Sequence, residues 1–443
     1  MSGLLAKSAN NIGNKLKVAN FPVSIGRVIE ANSARILTSL QNTFIGEICN
    51  IVSPMNDYFL SAQTISIKDG NAILAPLGDI SGMPSDAQVI PTGEPFKIHV
   101  GDALLGRVLD GLGQPLDGEP LHEERLISRL ITPESISPMD RPVIDEKFET
   151  GIKSIDGLNT LGIGQRVSVL GDAGAGKSTI LAMLARHSKA DVVVLVLIGE
   201  RGREIREMLD RQLPPEVRKN CVVVASTSEK PAMERLMASH LGLCIAEYFR
   251  DQSKNVLLLF DSVTRFSRAQ REVSLAAGEA AIRRGYTASL YAELPRLIER
   301  CGKTNKGAIT AMFTVLTEAE GIGDPIAEEL TSLTDGHIIL SSKLGQKGHF
   351  PAIDVLLSRS RLMSELITKE HLDSANKMRS LMNKYNEVEL LVQVGEYNKG
   401  ADAEADEAIS KYKDMMEFLQ QTPDDIFHLD DSISGLDRIM GNG

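Results

Sequence analysis

One glycine-rich segment carries the clearest chemistry in the chain: Gly171-Asp172-Ala173-Gly174-Ala175-Gly176-Lys177-Ser178. It fits the pattern G-x-x-x-x-G-K-[ST], in which glycines let backbone N–H groups converge on phosphate oxygens. A strand candidate, Arg166–Leu170, precedes the segment, and a helix candidate beginning at Thr179 follows it, so the positive end of the helix points at the same anion. Lys177 can supply charge for the β- and γ-phosphates, and the Ser178 hydroxyl can bind Mg²⁺. The segment predicts a nucleoside triphosphate site that runs from Gly171 to Thr179; the alternative is a glycine-rich turn without a ligand.

A metal ligand is expected at Asp261, where the apolar run Val256–Phe260 ends. Ligands of open α/β sheets bind at the carboxyl ends of the strands, so this carboxylate would face the phosphate segment. It could hold Mg²⁺ directly or through water. The alternative is that Asp261 caps a helix over residues 262–270, because Asp is favoured at that position.

Hydrolysis also needs a group that orients the attacking water and accepts its proton. Glu200 is the candidate, because it follows the apolar run Val192–Ile198 and so should lie at the same sheet edge. The alternative is a surface glutamate in the charged run GERGRE, residues 199–204. Arg201 could balance charge near the site or pair with an acid.

The elements that must position these residues fall into distinct regions. Short β-type runs over residues 21–90, with the turn pair Asp69-Gly70, predict a small barrel. The Gly- and Pro-rich residues 91–145 predict a linker or hinge. Unbroken apolar strands alternate with helices over residues 146–361, as in an α/β domain built on a parallel sheet. Residues 362–443 predict a helical domain, and residues 1–20 a flexible segment or a docking helix.

Composition excludes several classes of protein. Of 443 residues, 42% are apolar and 24% charged, which is ordinary for a globular chain, and the longest apolar run is too short to span a bilayer. A net charge of −11 and only 4% aromatic residues argue against a nucleic-acid-binding surface. The four cysteines lack metal-binding spacing and are expected to be buried free thiols in a cytoplasmic protein.

Several motifs together resemble the RecA-type rotary ATPase family, which includes the α and β subunits of F-type ATP synthase and the secretion ATPases. They are GDAGAGKST, GERGRE, LLLFDSVTRF, DGHIIL and HFPAID with SRSR. Within that family, GEYNKGAD at residues 395–402 is similar to type III secretion ATPases. The GEY form and GEICNI at residues 46–51 resemble the injectisome branch more than the flagellar export ATPase. The resemblance implies a RecA-like P-loop NTPase core, an N-terminal β-barrel and a C-terminal helical domain.

The resemblance also implies roles for single residues. Lys177, Ser178, Glu200 and Asp261 match the family's phosphate, Mg²⁺ and catalytic positions. Phe350 falls where the synthase β subunit places an aromatic ring against adenine, and Arg361 where the α subunit supplies an arginine finger. One chain would then hold both parts, so a homo-oligomer is expected, most simply a hexamer. The alternatives are a core position for Phe350 and a surface ion pair for Arg361.

Partners follow from the same resemblance: a central stalk, a peripheral stator, chaperone–effector complexes and the secretion apparatus at the inner membrane. Other interpretations are a non-catalytic regulatory subunit and a Rho-like RNA translocase. The glutamate at position 200 argues against the first, and the acidic charge balance against the second. The sequence departs from the family pattern in the loop at residues 278–291, where Ala281 and Thr287 stand in place of family prolines.

Overall fold

The computed structural model describes residues 24–131, 136–172, 174–317 and 324–441, without the side chain of Glu123. The predicted flexible segment 1–20 and Ala173 of the glycine-rich segment therefore lie outside the described residues. The described chain forms two units that divide between Phe96 and Lys97.

The first unit is a closed barrel of short strands, as the sequence predicts. The strands are β1 (Gly26–Ala31), β2 (Ile36–Thr38), β3 (Glu47–Val52), β4 (Phe59–Lys68), β5 (Asn71–Pro76) and β6 (Gln88–Pro95). They close in the order β1-β2-β5-β4-β3-β6. Asp69 and Gly70 join β4 to β5 with φ values of 51° and 75°. A two-residue hairpin turn of this kind needs positive φ at both positions, which explains the Asp-Gly pair.

The second unit is built on a large, mostly parallel sheet. Its strands are β7 (Lys97–Val100), β8 (Val108–Leu109), β9 (Ile127–Leu130), β10 (Lys147–Phe148), β11 (Leu161–Gly162), β12 (Arg166–Gly171), β13 (Val192–Glu200), β14 (Cys221–Thr227), β15 (Asn255–Asp261), β16 (Gly302–Lys303), β17 (Ala308–Leu316), β18 (Gly336–Leu340) and β19 (Ile353–Ser360). The main sheet has the order β19-β18-β12-β17-β15-β13-β14-β8. All neighbouring strands in this order are parallel except the first pair, because β19 is antiparallel to β18.

Helices cover the two faces of this sheet and then continue as a helical domain. They are α1 (Lys153–Leu158), α2 (Lys177–His187), α3 (Gly202–Glu207), α4 (Pro215–Arg218), α5 (Ala232–Asp251), α6 (Val263–Ala276), α7 (Ala288–Glu299), α8 (Pro325–Leu333), α9 (Ser342–Gln346), α10 (Met363–Leu366), α11 (Lys369–Gln393), α12 (Ala403–Leu419) and α13 (Leu429–Met440). Among the helices of the described residues, none combines the length and the apolar character that crossing a lipid bilayer requires.

The helical domain shares its core with the sheet. Met378 of α11, Met415 of α12 and Leu436 of α13 are at most 2% exposed and belong to the same apolar cluster as Val169 of β12. Two rings, Tyr385 and Tyr412, stack between α11 and α12 with centroids 3.5 Å apart. The helical domain is therefore continuous with the sheet through buried apolar contacts.

The sheet has two edges that matter for the site. Gly171 at the carboxyl end of β12 lies beside Leu340, the last residue of β18. At the other end of the same strands, Gly336 pairs with Ser360 of antiparallel β19. The chain therefore leaves β12 at one edge of the sheet and leaves β19 at the opposite edge.

Candidate active site

The glycine-rich segment connects β12 to α2 at the carboxyl edge of the sheet. Gly174 and Gly176 have φ values of 81° and 91°, which side chains other than glycine rarely adopt. A Cβ atom at Gly171 would lie 2.9 Å from the Leu340 Cβ, so this glycine permits close packing of the turn. Within the described residues, no side chain caps the first turn of α2, so its N–H groups face the loop. This is the geometry of a phosphate-binding site at a helix N-terminus.

Lys177 lies inside this loop. Its Nζ donates hydrogen bonds to the carbonyl oxygens of Gly171 and Asp172, both at 2.6 Å, and the residue is 7% exposed. Burial lowers the pKa of the Lys177 ammonium, while the nearby charges of Asp261, Asp172 and Glu200 oppose that change. Three acidic side chains thus surround one lysine at the loop.

Asp261 ends β15 and is 5% exposed. Its carboxylate accepts a hydrogen bond from the Thr314 hydroxyl at 2.6 Å. Burial raises the pKa of this carboxyl, and the Thr314 hydrogen bond and the Lys177 charge act against that rise. The helix that follows is capped by Ser262, whose side chain accepts from the Arg265 N–H. The capping alternative for Asp261 is therefore wrong.

Glu200 ends β13, the strand next to β15. Its side chain forms an ion pair with Arg265 of α6 at 3.0 Å. Burial raises the pKa of Glu200 to about 7, with the negative charge of Asp261 acting in the same direction and Arg265 against it. A carboxylate with a pKa near neutrality can accept a proton from water at physiological pH.

Ser178, Glu200 and Asp261 line one cavity of about 270 Å³. A hydroxyl and two carboxylates are hard oxygen donors, which Mg²⁺ prefers. Both carboxyl groups have raised pKa values in this cavity, so a divalent cation would offset the negative charge concentrated there. The residues present fit Mg²⁺ on this ground.

A second cavity of about 510 Å³ lies beside the start of α2. Gly176, Thr179 and Phe350 line it, together with residues of the segment that follows α12: Gln420, Gln421, Thr422, Pro423 and Asp425. Phe350 is 51% exposed and so is not a core residue. Its carbonyl oxygen accepts the Gln421 N–H at 2.9 Å, which ties that segment to the cavity.

The two other predicted arginines, Arg201 and Arg361, have partners other than Glu200. The Arg201 side chain is 79% exposed and pairs with Glu204 at 3.4 Å, which agrees with the acid-pairing alternative. Arg361 directly follows β19 and is therefore at the amino edge of β12 and β18. The six residues of β12 span about 17 Å at ~3.3 Å per residue. The structure does not bring Arg361 to the Lys177 site of its own chain.

Two polar residues that contact the site were not predicted from the sequence. Arg265 pairs with Glu200, and Thr314 donates to Asp261. A signal for Arg265 was available, because it stands four residues after Asp261 in LLLFDSVTRF, in the first turn of α6. Thr314 is a hydroxyl residue near the end of an otherwise apolar strand, which is a weaker signal.

The fold and the site together define a RecA-like P-loop ATPase. Residues 151–360 match the nucleotide-binding domain of the ATP synthase alpha/beta family, and residues 367–438 match the C-terminal domain of the type III secretion ATPase EscN. By these matches and the relatives below, the chain belongs to the type III secretion system ATPase family, and it is a nucleotide-binding, ATP-hydrolysing enzyme.

Relatives and solved structures agree over nearly the whole chain. The type 3 secretion system ATPase of Xanthomonas euvesicatoria is 45% identical over 402 residues, 90% of each chain. The flagellum-specific ATP synthase of Bacillus subtilis (strain 168) is 42% identical over 400 residues, 90% of this chain and 91% of the relative. The assembled ATPase EscN of enteropathogenic E. coli has a TM-score of 0.89 at 43% identity and covers 94% of this chain and 100% of its own. The predicted fold and family are confirmed.

Proposed function

We propose that this chain hydrolyses Mg²⁺·ATP in a ring of identical subunits, and that hydrolysis drives protein export by a type III secretion system of the injectisome branch. One observation carries the proposal. Arg361 and the Lys177–Glu200–Asp261 site lie at opposite edges of one sheet, so a single chain presents a site at one edge and a candidate arginine finger at the other.

The residues at the carboxyl edge have separate roles in this proposal. The loop N–H groups and Lys177 bind the phosphates, and Thr179 and Phe350 line the space for the base. Ser178 and Asp261 would hold Mg²⁺, which supplies charge neutralisation at the phosphate oxygens when it is bound. Glu200 orients the attacking water and accepts its proton, and Arg265 holds the Glu200 carboxylate in place.

Arg361 would complete the site of the adjoining subunit. A head-to-tail contact between identical subunits brings the amino edge of one sheet against the carboxyl edge of the next and closes as a ring. An arginine supplied in this way stabilises the charge that develops during phosphoryl transfer. The similar EscN structure is that of an assembled ATPase, which supports an oligomer here; we infer a hexamer.

The partners are also proposed from the similarity to EscN. EscN has also been solved in complex with its central stalk EscO, with a TM-score of 0.86 and 42% identity to this chain. We infer a central stalk protein for this chain, a peripheral stator, chaperone–effector complexes and a cytoplasmic site at the inner-membrane secretion apparatus. The net charge of −11 favours protein partners over nucleic acid.

The flagellar branch is the competing assignment, and the similarity to flagellum-specific relatives favours it. The match of residues 367–438 to the EscN C-terminal domain favours the injectisome. Deletion of the gene in its host separates the two branches. Loss of effector secretion with normal motility supports the injectisome assignment, and loss of motility overturns it.

The catalytic proposal is tested by mixing two inactive variants. Arg361→Ala should retain ATP binding and assembly, and its turnover should fall ~10³–10⁵-fold. Lys177→Ala should be inactive in its own site but still offer Arg361 to its neighbour. Equimolar mixing under subunit exchange should restore up to about a quarter of the wild-type rate, because a quarter of randomly formed head-to-tail contacts join an intact site to an intact finger.

The matched control replaces Lys177→Ala in the mixture by the double variant Lys177→Ala/Arg361→Ala, and this mixture should remain inactive. Near-wild-type turnover of Arg361→Ala alone, or a mixture with Lys177→Ala that stays inactive, would refute a finger supplied in trans. Phosphate release by Glu200→Gln tests the base: turnover should be lost while ATP binding remains, and retained turnover would assign the base to another group.

A further inference from the structure

A buried glutamine, Gln165, lies immediately before β12 and is 0% exposed. Its side-chain Oε1 accepts the Gly162 N–H at 2.8 Å. Its Nε2 donates to the Asp335 carbonyl oxygen at 2.9 Å and to the Ser360 hydroxyl at 3.1 Å. Both N–H donors of the amide are therefore directed at residues beside Arg361.

The same Asp335 carbonyl oxygen accepts the backbone N–H of Arg361 at 2.9 Å. The Gln165 side chain and the Arg361 backbone therefore donate to the same Asp335 carbonyl oxygen. Gln165 also donates to the hydroxyl of Ser360, the residue before Arg361. The Asp335 carboxylate is fixed in turn by Arg166, whose backbone N and Nε donate to it at 3.1 and 3.0 Å. Three strands, β12, β18 and β19, are joined at this point.

The Arg361 side chain extends from this junction to the end of α8. One terminal guanidinium nitrogen donates to the Thr331 carbonyl oxygen at 2.9 Å. Thr331 lies in the last turn of α8, where carbonyl groups lack intrahelical partners and the helix dipole favours a cation. The guanidinium is therefore oriented by the helix end, and its backbone is anchored by the Gln165 network.

We propose that Gln165 is a positioning residue for Arg361. It does not contact the nucleotide; it fixes the backbone from which the finger reaches the neighbouring site. This inference rests on the proposed role of Arg361 in trans. The competing role for Gln165 is purely local, as a bond that stabilises the turn between Gly162 and β12 and acts on the phosphate loop of its own chain.

Gln165→Met keeps the approximate size of the side chain and removes both N–H donors. If Gln165 positions the finger, kcat should fall about 10- to 100-fold, since a small misplacement of a catalytic group has effects of this size. The KM for ATP should stay within about twofold. Combining Gln165→Met with Arg361→Ala should add nothing to the loss caused by Arg361→Ala alone. An unchanged kcat, or losses that multiply, would overturn the proposal.

Mixing with Lys177→Ala distinguishes the two roles of Gln165. A Gln165→Met subunit has an intact phosphate site, so a finger from a Lys177→Ala neighbour should restore activity as it does for Arg361→Ala. If the substitution instead damages the phosphate loop of its own chain, the mixture stays inactive and the positioning role is wrong. The mixture of Arg361→Ala with Lys177→Ala in the same experiment reports separately whether the finger acts in trans at all.

Two further variants keep the test decisive if Gln165→Met folds poorly. Ser360→Ala removes only the bond at 3.1 Å and should lower kcat in the same direction, with the same recovery on mixing. Thr160→Val is the matched control, because it removes a buried hydroxyl that donates to the Asp156 carbonyl oxygen at 2.7 Å, and Asp156 is not one of the Gln165 partners described above. Its kcat should be unchanged; an equal loss in Thr160→Val and Ser360→Ala would assign both effects to general destabilisation and overturn the positioning role.

Discussion

Arg265 of helix α6 and Glu200 at the end of β13 form an ion pair, with one guanidinium nitrogen 3.0 Å from Oε1 and 3.1 Å from Oε2. Arg265 also donates to the Gly199 carbonyl oxygen. A Cβ atom at Gly199 would lie 3.1 Å from the Arg265 Cδ, so a glycine before Glu200 lets the arginine approach. Helix α6, which follows Asp261, therefore also carries Arg265, the cation that lowers the pKa of Glu200.

This pair predicts the pH dependence of hydrolysis. The pKa of Glu200 is raised to about 7, and a general base must be ionised to accept a proton. The kcat/KM for ATP should therefore fall as the pH drops through about 7. Steady-state phosphate release from about pH 5.5 to about pH 9 measures this fall, which is the acid limb of the pH profile. Nucleotide binding measured over the same range corrects for titration of ATP. A flat profile across the acid half of that range would contradict the assignment.

The second prediction concerns Arg265→Gln. Removing the cation that lowers the pKa of Glu200 should raise that pKa above about 7 and move the acid limb to higher pH. Activity at about pH 6.5 should fall about tenfold or more and recover in part at about pH 8.5. Arg206→Gln is the control, since that arginine pairs with Asp210 on an exposed helix surface and should leave the limb unmoved. An acid limb at the wild-type position in Arg265→Gln would exclude this electrostatic role.

The third prediction concerns the base pocket. Phe350→Ala should raise the KM for ATP about tenfold or more with little change in kcat, because an aromatic stack on a base contributes about 1–3 kcal/mol. Phe350→Tyr should retain most of the affinity. Phe44→Ala, which removes another exposed phenylalanine, is the control. Weakened binding of tripolyphosphate, which has no base, would show that Phe350 acts on the loop rather than on adenine.

The fourth prediction concerns the packing of α5 on the sheet. A Cβ atom at Gly242 would lie 2.2 Å from Cγ2 of buried Val196, so Gly242→Ala should lower the free energy of unfolding by about 1–3 kcal/mol. Gly202→Ala is the matched control, because the nearest atom to its Cβ is 3.9 Å away. Urea denaturation compares the two, and equal stability would show that the helix shifts to accept the methyl group.

Buried parallel strands were the most predictable part of the fold. The apolar run Val192–Ile198 marks β13 to within two residues, because a strand covered on both faces must be apolar throughout. The antiparallel strand β19 was not predicted, since one face is exposed and its alternating pattern is weak. The last helix, α13, lies within residues 362–443, which were predicted to be helical, but its own bounds were not predicted.

The residues of the candidate site likewise fall into those that the sequence predicted and those that only the structure shows. Motif spacing predicted Lys177, Glu200 and Asp261 at one edge, since β12 before Lys177 and the strands that end at Glu200 and Asp261 are parallel strands of one sheet. Arg265 and Gln165 contact residues that are distant in sequence, and motif spacing alone does not reveal such contacts. The sheet edge at which Arg361 lies follows from the direction of β19, and that direction is a property of the sheet rather than of the local sequence.

The attachment of Gln421 has a mechanical consequence. This residue directly follows Gln420 at the end of α12, is 5% exposed, and joins the carbonyl oxygens of Gly151 and Phe350 through its side chain and backbone. Helix α12 is 17 residues long, or about 25 Å at ~1.5 Å per residue. A tilt of ~10° about the end of α12 near Gln421 would displace the other end of this helix by about 4 Å. A change in the pocket beside Phe350 that tilts α12 would therefore displace the far end of this helix more than the end at the pocket.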